Sequence, residues 1–289
     1  MFARLIIALL GCVWLTACNG DGEQTRDWPD PSPALNEVIS PGGEKGWLFG
    51  TVHALPDGVE WRTVILDQTL AQSGVLVVEI ADLARGAPRG MFADLSETPG
   101  QKPLMMRVEP SERADLQKLL DRSGMDENDF SRTESWGAAL MLANAIKAGD
   151  PANGVDLALI ADAPGEVIGL ETWREQFGLF DTLSPAAQDD LLAAVALEAE
   201  NVSPDHLVEH WLTGNLHRLD EATDYGILGY PELKQKLLIN RNARWTEEVA
   251  KLVESGDEPF VAVGAAHIVS IYGLVALLEE RGYTIRRLQ

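Results

Sequence analysis

Cysteine is nearly absent. The 289 residues contain two, Cys12 and Cys18, both within the first 18 positions. A mature chain cut at this point keeps no thiol for a cysteine nucleophile, a thiolate metal centre or an internal disulfide. Histidine is scarce too, with five in all. Lysine and arginine together number 23 against 45 acidic residues, a formal net charge of −22 spread along the chain. With no basic patch to neutralise phosphates, nucleic acid is excluded as a partner. The charge otherwise speaks to solubility and to repulsion from anionic surfaces. A Gly-x-Ser-x-Gly elbow, a P-loop and a dinucleotide fingerprint are all missing, and a serine triad lacks a credible nucleophile.

What is present begins with "MFARLIIALLGCVWLTAC". One positive charge, an apolar run and small residues before Cys18 describe a secretory leader, too short for a membrane span. Leu15-Thr16-Ala17-Cys18 resembles a bacterial lipobox, which implies cleavage before Cys18 and acylation of its thiol; ordinary cleavage beside a stray cysteine is the alternative. Asn19, rather than aspartate, suggests sorting to the outer membrane, facing the periplasm. We therefore expect a leader over 1–17, a flexible Gly/Asp/Pro-rich tether over 18–33 and one domain over 34–289.

Within that domain, "ALNEVIS" and "KGWLFGTV" flank Pro41-Gly42-Gly43 and predict a hairpin. Continuous apolar runs at Val75–Ile80, Glu166–Thr172 and Glu258–His267 read as buried strands, with a last strand over 283–288. Helices are expected over 57–72, 111–124, 133–149, 154–163, 184–225, 231–255 and 272–282, with a Gly/Pro-broken stretch over 85–103. Strands that alternate with helices and are apolar throughout predict an α/β fold: a parallel or mixed central sheet covered by helices on both faces, with a largely helical middle region.

Four of these strands end on an ionisable residue: His53, Glu79, Glu171 and His267. Two of them share one pattern, Gly50-x-x-His53 and Gly264-x-x-His267. In open α/β sheets ligands bind at the carboxyl ends of strands. If the four strands are parallel neighbours, two imidazoles and two carboxylates meet on one rim. Such a nitrogen/oxygen set suits a divalent ion such as Zn, Mn, Co or Fe, which would lower the pKa of a bound water. A metal-free version also works, with one glutamate as general base on water and the histidines polarising the scissile carbonyl.

These stretches, "WLFGTVHALP", "LVVEI", "GLET" through Gln176, Arg241-Asn242 with Trp245, and "FVAVGAAHIV" onward, resemble the TraB/PrgY/GumN family. That family is similar to the Tiki metalloproteases and, more distantly, to the erythromycin esterase and ChaN-like group. The resemblance implies a duplicated α/β core with both Gly-x-x-His motifs at one site. It also implies hydrolase chemistry that depends, in Tiki-like members, on a divalent metal such as Mn or Co. The matching positions are His53, Glu79, Glu171, Arg241, Asn242 and His267. Under this reading His53, His267, Glu79 and Glu171 hold metal or activate water, while Arg241 and Asn242 orient a substrate carboxylate or an oxyanion. Ser270 and Gly273 depart slightly from the glycine-rich turn expected after His267.

A rival motif, His206-Leu207-Val208-Glu209-His210, fits the inverted zincin pattern H-x-x-E-H. Its context is an amphipathic helix with Leu207, Trp211 and Leu212 turned inward, which favours a structural role. Three readings of the whole remain open. The chain is a lipid-anchored hydrolase of peptide or other amide or ester bonds, a non-catalytic binder that sequesters a peptide signal, or a structural lipoprotein whose strand-end histidines are merely packed.

Overall fold

The computed structural model describes residues 26–146, 149–201 and 205–289. The leader and Cys18 lie outside these residues. A single six-stranded mixed sheet organises the chain: β1 (Leu35–Ile39), β2 (Lys45–Thr51), β3 (Val75–Val78), β4 (Glu166–Gly169), β5 (Pro259–Gly264) and β6 (Thr284–Arg287). Their order across the sheet is β4-β3-β5-β2-β1-β6. The four strands β4, β3, β5 and β2 run parallel, and β1 is antiparallel to both β2 and β6. The expected hairpin is therefore β1–β2. Ser40 Oγ accepts from the N–H groups of Gly42, Gly43 and Glu44 at 3.0–3.2 Å, and Gly43 takes the turn's positive φ of 99°.

Side-chain alternation along the strands feeds two cores. Trp47, Phe49, Leu76, Val78, Phe260 and Ala262 face the larger one, which is completed by the helices of the middle region. Leu48, Val77, Val261 and Val263 face the other, closed by the helices Asn240–Glu254 and Leu274–Glu280. Both faces of the sheet are thus covered, as the unbroken apolar strands require.

Several helices are shorter than their sequence patterns predict. The first begins at Val64 rather than near Asp57, where Thr63 Oγ1 accepts from Leu66 N at 3.1 Å. The helix Arg113–Ser123 starts from Glu112 without a side-chain cap, so Ser111 does not cap it, although Gly124 ends it in the left-handed conformation as expected. The Gly/Pro-broken stretch hides a helix, Arg89–Ser96. The segment over 184–225 divides into Pro185–Asn201, Asp205–Leu212 and Leu216–Ala222. The long helix expected from Pro231 is interrupted by a π-helical turn, Gln235–Ile239, which ends two residues before Arg241. Upstream of β1, Ser32 N donates to Leu212 O at 2.7 Å and Trp28 packs on the larger core, so the end of the expected tether lies against the domain.

Candidate functional site

The parallel order β4-β3-β5-β2 places the four strand-end residues along one edge of the sheet, since Glu171, Glu79, His267 and His53 follow those strands in that order. The two Gly-x-x-His segments lie on neighbouring strands, with Gly50 opposite Val263 and Thr51 opposite Gly264. A Cβ on Gly50 would sit 3.1 Å from the Ala265 Cα, so the glycine lets the two segments approach closely.

Arg241 is the centre of the arrangement. Its Nε donates to Glu171 Oε1 at 3.0 Å and Oε2 at 3.2 Å, and its Nη2 donates to Glu171 Oε2 at 2.9 Å and Glu79 Oε2 at 2.7 Å. Nη1 donates to His267 Nε2 at 3.1 Å and to Leu237 O, inside the π-helical turn, also at 3.1 Å. The guanidinium carbon lies 4.4 Å from the Trp245 ring centroid. The Arg241 side chain is only 1% exposed. Burial alone would lower its pKa, but Glu79 and Glu171 reverse this and raise it.

The partners are equally fixed. Burial pushes the Glu79 carboxyl up, but Arg241, His267, His53 and the Gly264 N–H at 2.8 Å outweigh it and bring its pKa to about 2. Because His267 Nε2 accepts from Arg241, Nδ1 carries the proton and donates to Asn242 Oδ1 at 2.5 Å. Asn242 Nδ2 donates in turn to Tyr272 O at 2.7 Å. Burial, followed by Arg241, lowers the His267 pKa to about 3, so the ring is neutral at physiological pH. Its centroid lies 4.5 Å from that of Trp245. Arg244 Nη2 also donates to Glu171 Oε1.

His53 is held differently. Its Nδ1–H donates to Asp156 Oδ2 at 2.7 Å, and Thr51 Oγ1 donates to Asp156 Oδ1 at 2.8 Å. Asp156 is buried in the first turn of the helix Val155–Ala161. Gly154 permits this helix to start against the strand end, because a Cβ there would lie 2.4 Å from His53 O. The His53 side chain remains 13% exposed. A positive charge on this ring would act on both Glu79 and His267, which places it in the same neighbourhood.

All six residues singled out from sequence therefore sit at this edge. Arg241 and Asn242 are buried inside the cluster rather than turned outward to substrate. Glu79, with its pKa near 2, is a weak base. The carboxylate oxygens and the His267 nitrogens expected to ligate a divalent ion are engaged by Arg241, Arg244, Asn242 and Gly264, and a guanidinium stands between the carboxylates. This arrangement does not fit a divalent ion, and among the described residues no group of three or more His, Cys, Asp or Glu side chains is placed to hold one. Asp156 is the residue that sequence reasoning missed. Its signal was a single charged residue in the otherwise apolar helix Val155–Ala161.

The H-x-x-E-H helix lies elsewhere in its chemistry. His206 is exposed and pairs with Glu209 at 3.4 Å, Glu209 also pairs with Arg26, and Leu207, Trp211 and Leu212 face inward as expected. Trp211 Nε1 donates to Gly50 O at 2.7 Å, so this helix supports the β2 end of the site.

The TraB/PrgY/gumN family model matches residues 36–287. No curated protein and no solved structure matches the chain.

Proposed function

We propose that this chain, which belongs to the TraB/PrgY/gumN family, hydrolyses peptide or other amide or ester bonds with His53 as the general base on water. The observation that carries this reading is the His53–Asp156 pair at 2.7 Å, seated at the carboxyl end of a parallel strand. Asp156 fixes the tautomer of the ring and stabilises the imidazolium formed when its other nitrogen takes a proton from the attacking water. Water then adds to the carbonyl carbon, the bond to the leaving nitrogen or oxygen breaks, and the imidazolium returns the proton to the leaving group. The neighbouring cluster supplies a rigid wall: a neutral His267, a guanidinium locked between two carboxylates, and Trp245 packed against both.

A divalent ion (Mn, Co or Zn) enters this reading only by displacing Arg241 from Glu79 and Glu171. Metal titration of the purified protein tests that, with Arg241→Met as the variant expected to gain metal affinity. The second reading, a binder of a peptide signal, is favoured by the burial of Glu79, Glu171, Arg241 and His267. Turnover of a panel of esters and peptides, compared among wild type, His53→Ala and Asp156→Asn, separates the two. Turnover abolished by both substitutions supports the hydrolase, whereas binding without turnover in the wild type supports the binder.

The cellular setting belongs to the same proposal. Acylated Cys18 would hold the domain at the periplasmic face of the outer membrane. No helix among the described residues is long and apolar enough to cross a membrane. Incorporation of labelled fatty acid, lost in Cys18→Ala, is the test.

A further inference from the structure

The substrate-carboxylate role that sequence assigns to Arg241 is open to another residue. Arg241 is 1% exposed and its guanidinium is committed to Glu79, Glu171 and His267. Three residues on, along the helix Asn240–Glu254, Arg244 reaches the same Glu171 through Nη2. Glu171 is fully buried there, whereas the Arg244 side chain is 43% exposed. Glu171 already receives three donor contacts from Arg241. The Arg244 contact is thus additional to a satisfied buried carboxylate, and its effect is to pin an exposed guanidinium at the rim. A pinned fork loses less side-chain entropy on meeting an anion than a free surface arginine does. One other carboxylate that feels the Arg244 charge is Glu175. That carboxylate accepts from Thr172 N and Oγ1, at 2.8 Å each, as part of a helix cap.

We propose that Arg244 is a specificity-determining residue that binds the terminal carboxylate of a peptide substrate; this rests on the hydrolase reading above. The spacing sets the length. Glu171 follows β4 and His53 follows β2, three strand positions apart, which is about 14 Å at ~4.8 Å per strand. An extended peptide rises about 3.4 Å per residue, so some four residues would separate the Arg244 anchor from the bond presented to His53. The site thereby selects short peptides cut a fixed distance from their carboxyl end, rather than bonds deep inside a folded protein.

The test uses N-acetyl-tetraalanine as the free acid and as its C-terminal amide, with equilibrium binding measured on full-length protein carrying His53→Ala. The acid is expected to bind about ten-fold tighter than the amide, the scale of one charge-assisted hydrogen-bonded contact, and this preference should weaken as NaCl is raised. Arg244→Gln should abolish the preference, and Arg244→Lys should keep part of it. A thermal melt confirms that each variant is folded. Equal binding of acid and amide, no binding of either, or a preference that survives in folded Arg244→Gln overturns the proposal. Turnover by the wild-type protein is scored separately. An intact acid preference without turnover sinks the hydrolase reading, while turnover with no acid preference sinks the role of Arg244.

Discussion

Asp156 Oδ2 lies 2.7 Å from His53 Nδ1 across 103 residues of sequence. The pair is braced by Thr51, which donates to the other Asp156 oxygen at 2.8 Å. A buried carboxylate with both oxygens engaged cannot rotate, so it fixes the plane and the tautomer of the imidazole.

Asp156→Asn should therefore abolish most turnover while leaving the fold intact. A loss of about 10²–10⁴ in kcat is expected, the usual scale for disabling a general base. Thr51→Val should cost far less, because it removes only the brace. Steady-state kinetics on both variants checks the ranking, and equal losses would point to damaged packing instead.

Arg241 should matter to stability before it matters to catalysis. Arg241→Ala would strip Glu79 of its arginine partner and leave the buried Glu171 with the half-exposed Arg244 alone, at a cost of about 3–5 kcal/mol. Adding Glu79→Gln and Glu171→Gln should recover part of this, since the stranded charges are then gone. Urea melts of the single and triple variants measure both.

The cluster also sets how stability responds to acid. The folded-state pKa of Glu79, about 2, is below its ordinary 4.5, so its contribution is complete above pH 4.5 and is lost as pH falls toward 2. The folded-state pKa of His267, about 3, is below its ordinary 6.5. The unfolded chain therefore takes up a proton below pH 6.5 that the native ring refuses until about pH 3. Both groups act in one direction, so stability should decline steadily from pH 6.5 to pH 3. His267→Gln should flatten the upper part of that decline, where the Glu79 contribution is already complete and adds nothing to the slope. Urea midpoints at pH 7, 5.5 and 4.5 test this.

Gly50 separates the two motif-bearing segments. Gly50→Ala places a Cβ 3.1 Å from Ala265 Cα and 3.3 Å from Ala265 Cβ, an overpacking expected to cost about 1–3 kcal/mol. Because the strain falls beside both Gly-x-x-His segments, activity should drop along with the melting temperature. Loss of stability at unchanged turnover per folded molecule would show that the spacing of the segments is not critical.

Much of the site was legible because strand-end chemistry depends on order along the chain and on polarity. Apolar runs such as Val75–Val78 and Pro259–Gly264 announce buried parallel strands, and the ionisable residue after each one marks a shared edge. The membership of Arg241 was readable only through family resemblance. Its burial was not readable, because the π-helical turn Gln235–Ile239 breaks the 3.6-residue period that places a side chain on a helix face. Asp156 escaped notice because the contact that gives it meaning spans distant sequence. The lone acid among Val155, Leu157, Leu159 and Ile160 becomes informative only once β2 is packed beside it.

The central claim is that the His53–Asp156 pair activates water without a divalent ion. Its most direct test is hydrolysis of an ester and peptide panel by protein exhaustively treated with EDTA, with His53→Ala and Asp156→Asn alongside. The account predicts turnover that survives chelation and disappears in both variants. Turnover lost to EDTA and restored by Mn, Co or Zn, or turnover that persists in His53→Ala, would contradict it.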